Sequence, residues 1–189
     1  MKALLIVLGV VVLGAVLFGV KFVGIRNDLA VKKEAINGAW AQVDADLQRR
    51  ADLIPNLVET VKAYAKEETT VIDSISNARA GLMNAKSPQE KIDANQKLEG
   101  ALGRLLVVVE NYPNLKANQN FQSLQFQLEG TENRILQARR RYNESVQTYN
   151  TSLQLFPDNI VASMSGFQRE DAYFKTDTNA RTAPKVSFQ

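Results

Sequence analysis

Histidine and cysteine are both missing from the 189 residues of this chain. Without histidine the commonest general base and the commonest metal-binding imidazole are gone. Without cysteine there is no thiolate nucleophile, no thiolate metal site, no disulfide and no thiol to acylate. No serine sits in a Gly-x-Ser-x-Gly elbow and no glycine-rich phosphate loop occurs, so acyl transfer and nucleotide hydrolysis lack their usual parts. Carboxylates remain: Asp44, Asp46, Glu59, Glu110 and Glu132 are candidates for a metal site inside a helical bundle. Such sites pair Glu-x-x-His motifs on facing helices, and that motif needs a histidine. Solvated helix faces are the simpler account of these acids. The sequence therefore predicts a non-enzyme, with no catalytic residue, no metal, no cofactor and no small-molecule substrate.

Charge removes another class. Arg134, Arg139, Arg140 and Arg141 cluster in one stretch, but Glu129, Glu132 and Glu144 stand among them, and from Glu34 onward 18 basic residues face 19 acidic ones. A stripe able to follow a phosphate backbone is not formed, so nucleic acid is not an expected partner. Pairing inside the fold is expected for at least one of these arginines.

The polar residues that recur in three blocks are the stronger candidates for function. Arg49, Arg50, Asp52 and Asn56 flank Pro55; Asn111, Tyr112, Lys116 and Asn118 surround Pro113; Asn133, Tyr142, Asn143, Tyr149 and Asn150 lie along a later helical stretch. Two readings stand. Asparagines cap helix ends while arginines and tyrosines satisfy groups between helices; or the blocks together form a polar surface that recognises a partner. Tyr142-Asn143 and Tyr149-Asn150 are seven residues apart, which puts them on one helix face.

The elements that must position these blocks begin with Ala3 to Val20, a run with no charge or strongly polar group. At about 1.5 Å per residue it extends roughly 27 Å, and Phe22, Val23 and Ile25 beyond the snorkelling Lys21 complete a bilayer crossing. No small-x-small cleavage site follows Val20, so an uncleaved anchor is expected in contact with membrane lipid through residues 3–23. Ala15 and Gly19 form a weak small-xxx-small pair. Lys2 precedes the run, whereas Lys21, Arg26, Lys32 and Lys33 follow it, which favours the cytoplasmic side of the membrane for the body of the protein. Gly24 is the one plausible break before the next apolar stripe, so the anchor is expected to run almost directly into the first helix of the soluble part.

That first helix carries Ile25, Leu29, Ile36, Trp40, Val43 and Leu47. Pro55 is expected to stop or bend it and to start a second helix bearing Leu57, Val58, Val61, Ile72, Ile75 and Leu82. Ser87-Pro88-Gln89-Glu90 is a capping box with proline in the first turn, and opens a third helix that stops before Asn111-Tyr112-Pro113. A fourth is expected from Asn118 to Pro157 as the longest, about 38 residues, with Phe121, Leu124, Leu128, Ile135, Ala138, Tyr142, Val146, Tyr149, Leu153 and Phe156 at heptad-like steps. Asn159 to Met164 has room for one or two further turns. Phe167, Tyr173 and Phe174 are too many aromatics for a free tail and are expected to lie back on the helices, with Lys175 to Gln189 either loose or touching a neighbouring chain. The fold class is thus all-α: a single transmembrane helix (1–24), an up-and-down four-helix bundle (25–157) and a short C-terminal segment (158–189) partly packed on it. The first and third turns of such a bundle fall at one end.

The blocks RRADLIPN (Arg49 to Asn56), NYPNLKAN (Asn111 to Asn118) and RRRYNESVQTYN (Arg139 to Asn150) closely resemble the LemA family, and the resemblance spans most of the chain. It implies the same four-helix fold. Some members look like lipoproteins, which leaves an extracytoplasmic body open, and members are often encoded near membrane metalloproteases. Two functions follow as expectations: a homo-oligomeric scaffold or organiser of the bacterial inner membrane, or an adaptor that binds a membrane-protein partner or client in envelope quality control.

Overall fold

A computed structural model describes residues 2–174. Its first element, α1, is one unbroken helix from Lys2 to Tyr64, 63 residues long. Leucine and valine dominate its first third, where no tertiary neighbour covers them: Leu4, Val10, Leu17 and Val20 are each more than half exposed. This is the one helix among the described residues that is long and apolar enough to cross a membrane. It passes Gly24 without interruption, so the apolar rod and the packed body share a helix.

Pro55 does not end that helix, contrary to the sequence expectation; it lies inside α1, and the first turn comes at Ala65 to Glu68 instead. The reason is local and tertiary at once. A proline inside a helix costs roughly 3 kcal/mol, largely through the hydrogen bond it cannot donate to the carbonyl four residues back. Here that carbonyl belongs to Ala51, and Nε of Arg79 donates to it at 2.8 Å. Meanwhile Ala51, Ile54, Leu57 and Val58 on both sides of the proline are buried. At about 1.5–3 kcal/mol for each large apolar side chain, keeping one face continuous outweighs the break.

The remaining elements are α2 (Thr69–Asn84), α3 (Pro88–Val109), the single turn α4 (Pro113–Lys116), α5 (Gln119–Ser152) and α6 (Asp158–Ser165). No strand occurs among the described residues. Helix α3 opens with the predicted box: Ser87 Oγ accepts from the Glu90 N–H at 3.2 Å, and the Glu90 carboxylate accepts from the N–H groups of Lys86 and Ser87 at 2.8 and 3.3 Å. Those two backbone donors hold the Glu90 carboxyl below the ordinary carboxylate range. Helix α5 is capped by Asn118, whose Oδ1 accepts from the Phe121 N–H at 3.0 Å. It has 34 residues and ends at Ser152 rather than at Pro157, so the longest helix is α1. Helix α6 stops at Gly166, which adopts φ +75°, a conformation costly to any residue with a Cβ.

Helix α5 packs along the C-terminal part of α1, α2 packs on α3, and α2 also meets α1. The pairing of α1 and α5 is antiparallel: Asn118 bonds Tyr64, Arg134 pairs with Asp46, and Ser152 accepts from Lys32. One core runs through the assembly, from Val43, Leu47 and Ile54 on α1 to Ile75 and Leu82 on α2, Leu98 and Leu105 on α3, and Ile135 and Val146 on α5.

Candidate functional site

Three polar assemblies take up the singled-out residues. The first is a charged layer within the helices. Arg50, 4 % exposed in mid-α1, donates from Nη1 to Asn95 Oδ1 at 2.8 Å and to Glu99 at 3.4 Å, and its Nη2 pairs with Glu132. Glu99 Oε1 also accepts from Asn95 Nδ2 at 2.7 Å and from Arg139. Burial pulls the Arg50 guanidinium below its usual value, and the Glu99 carboxylate partly restores it. With donors from Arg50, Asn95 and Arg139 on one Glu99 oxygen, the layer ties α1, α3 and α5 together. Sequence reasoning found Arg50 here but missed Asn95 and Glu99. The signal was present: Asn95, fully buried, interrupts the apolar step from Ile92 to Leu98.

The second assembly holds the segment after α6. Asn143 uses both halves of its amide on Phe174, accepting from its N–H at 3.1 Å and donating to its carbonyl at 2.9 Å. Asn150 does the same to Glu170, at 3.0 and 2.6 Å, and also reaches the Tyr173 hydroxyl at 3.0 Å. Tyr149, buried beside Lys33, donates from its hydroxyl to the Gln168 carbonyl at 2.9 Å. Tyr142 stands edge-on to Trp40 and to Phe174, whose ring also stacks on Trp40 and lies under the Arg139 guanidinium at 4.9 Å. Burial pushes the Tyr142 hydroxyl up to about 12 and raises that of Tyr149. The seven-residue spacing of the two Tyr-Asn pairs thus matches two successive grips on an extended backbone. Lys175 to Gln189 lies outside the described residues.

The third lies at the far end from the apolar rod. Tyr112 donates to Glu68 at 2.9 Å, which raises its own hydroxyl pKa, and Asn118 Nδ2 donates to the Tyr64 hydroxyl at 2.9 Å. The Asn111 to Asn118 block therefore meets the true first turn, at Tyr64 to Glu68, and not Arg49, Arg50 and Asp52, which lie several helical turns back along α1. Asn56 faces the opening turns of α5, sharing a shallow recess with Asn120 and Ser123. Arg49, Asp52, Asn56, Asn111, Lys116 and Asn133 are exposed, with Asp52 accepting from Gln48 at 2.9 Å and Lys116 paired with Glu110 at 2.6 Å.

The other acids of the sequence search stand in separate ion pairs: Asp44 with Lys91, Asp46 with Arg134 at 3.5 Å, and Glu59 with Lys62 at 3.3 Å. Of the clustered arginines, Arg134 and Arg139 pair within the fold, while Arg140 and Arg141 are exposed. Between α3 and α5 runs a groove of about 150 Å³ lined mainly by Leu102, Leu105, Leu106, Phe121 and Leu128, with Arg50 at its floor. Val107 and Phe126, 71 % and 76 % exposed, stand on the same two helices.

Residues 39–188 match the LemA family. The chain is 26 % identical over 175 residues to Magnetosome protein MamQ 2 of Paramagnetospirillum magneticum, an alignment covering 79 % of this chain and 64 % of that protein. Magnetosome protein MamQ of Magnetospirillum gryphiswaldense is 27 % identical over 154 residues, covering 68 % of this chain and 56 % of the relative. Protein LemA of Metamycoplasma hominis is 23 % identical over 152 residues, covering 80 % and 69 %. The chain thus spans a little under two thirds of the length of the first of these relatives. A family match over residues 39–188, which hold nearly all of the helical core, identifies the chain as a member of the LemA family.

Proposed function

We propose that this protein is a non-catalytic scaffold: a single-pass anchor of the bacterial inner membrane that carries an up-and-down four-helix bundle, formed by the C-terminal part of α1 with α2, α3 and α5, and works by self-association. The observation that carries this reading is α1 itself. One helix exposes a bilayer-length apolar surface at its start and buries Leu47, Ile54 and Leu57 in the core later on, so a force or contact on the bundle is transmitted to the membrane without a hinge. The α3–α5 face supplies the surface for a second copy. The half-exposed Leu106 lines the leucine groove beside Leu102, Leu105 and Leu128, and an apolar groove open to solvent in this way marks an association surface.

The test is the mass of the full chain in detergent and in lipid nanodiscs at micromolar concentration, by light scattering, with crosslinking in cells. Multimers are expected, and Leu106→Asp is expected to shift them toward monomer while leaving the helical circular dichroism intact. Monomers in both measurements would end the scaffold reading. The same groove supports an adaptor reading, in which an apolar segment of a membrane-protein client or a membrane protease takes the place of the second copy. A pull-down from native membranes that returns a protein other than the chain itself, and loses it in the Leu106→Asp variant, would favour that alternative.

A further inference from the structure

The corner between α5 and α6 places a second apolar surface beside the root of the membrane helix. Leu155, Phe156, Ile160 and Met164 are 56 %, 80 %, 46 % and 66 % exposed. Ile160 and Met164 are four apart and share one face of α6, while Val161 and Ala162 on the opposite side are buried and α6 packs against α1. Singly exposed apolar side chains are ordinary, but four within ten residues on one corner are not.

The height of this corner follows from the antiparallel pairing of α1 and α5. Tyr64 meets Asn118, Asp46 meets Arg134, Lys33 lies over the Tyr149 ring and Lys32 reaches Ser152. Continued in that register, Phe156 comes level with Arg26 to Asp28. The apolar run ends near Val23, so the corner stands about 4–8 Å beyond it at 1.5 Å per residue. That is the depth of the headgroup layer, roughly 5–7 Å on each side of the hydrocarbon. Amphipathic helices lie at that boundary with their apolar faces inserted. Exposed Arg26 stands at the same level, and exposed Lys21, about 7 Å lower, reaches up to it by snorkelling; both suit anionic lipid headgroups.

We propose that the α5–α6 corner, through Leu155, Phe156, Ile160 and Met164, inserts into the lipid interface as a second membrane contact that fixes the tilt of the body on its anchor. The proposal rests on residues 3–23 being the anchor and adds a site that this reading does not include. A lipid contact beside α1, added to the span of α1 itself, resists rocking; one helix alone does not set its own tilt.

Because the chain has no cysteine, single labels can be placed without background. Val12→Cys, Met164→Cys and Asn120→Cys variants of the full chain carry an environment-sensitive fluorophore in vesicles of phosphatidylcholine and phosphatidylglycerol. Quenching is compared between brominated lipids and aqueous iodide. Lipid quenching at positions 12 and 164 at least twofold above that at 120 is expected. Lipid quenching at 12 with iodide quenching at 164 would overturn the second contact and leave the anchor standing. Iodide quenching at 12 would overturn both. Protection of 164 from both quenchers would show it covered by protein, and would overturn the lipid assignment.

Discussion

Arg79 shows how one side chain can decide the course of a whole helix. Its Nε fills the acceptor that Pro55 leaves open on Ala51, so the two residues are coupled although they sit on different helices. Arg79→Met should destabilise the full chain in detergent by about 1–2 kcal/mol, the usual effect of leaving a carbonyl unpaired. Pro55→Ala restores the backbone N–H, and in that background Arg79→Met should cost well under half as much. A denaturant titration of the four proteins followed by circular dichroism measures the coupling; equal costs in both backgrounds would mean that Arg79 acts by some other contact. The residue scale also assigns Arg50 its place. Its three partners leave a lysine unable to substitute, because a single ammonium cannot reach Asn95, Glu99 and Glu132 in the geometry of a planar guanidinium.

At the scale of elements, the segment from Phe167 to Phe174 behaves as a fifth layer laid across α1 and α5. Its backbone has no helix or sheet of its own to satisfy it, so Asn143, Tyr149 and Asn150 supply the missing partners. Asn150→Asp is the sharpest probe. It keeps the size of the side chain but sets an oxygen against the Glu170 carbonyl in place of the amide donor. Amide hydrogen exchange from Phe167 to Phe174 should rise at least tenfold in this variant, while protection in α2 and α3 stays as it was. Unchanged exchange in the segment would show that the aromatic stack of Trp40, Tyr142 and Phe174 holds it without the asparagine. The capping box of α3 belongs to the same scale. It was read directly from Ser87 to Glu90, because all its partners lie within four residues.

For the whole molecule, the consequence of an unbroken α1 is reach. From Val23 to Tyr64 the helix rises about 60 Å, so the turns at Tyr64 to Glu68 and Asn111 to Asn118 are carried far from the apolar run. Energy transfer from a donor on Asn120→Cys to an acceptor lipid should report a height near that value, less the tilt. Four glycines inserted after Gly24 should shorten and broaden it. If the insertion leaves the distance distribution unchanged, the junction is not stiff to begin with. The rod puts the exposed residues Asn111 and Lys116 at the end of the molecule opposite the apolar run.

What the residues determined without tertiary help was whatever is encoded over a few positions. The lipid-length apolar run, the boundaries of α3 and the start of α5 at Asn118 each have their cause within one or two helical turns. The Tyr-Asn spacing was legible as a shared face, though not as the face that grips the tail. Three outcomes were decided only by the folded whole. Helix α1 continues through Pro55 because Arg79 arrives from α2 and both flanks are buried. The first turn falls at Ala65 to Glu68, where no side chain caps α2 and the anchoring bonds come from Tyr112 and Asn118, more than forty residues away. The charged layer forms because α1, α3 and α5 bring Arg50, Asn95, Glu99, Glu132 and Arg139 to one level. A local code sets local dihedrals and caps; where a helix break is offset and which charges meet depends on distant groups that only packing brings within bonding distance.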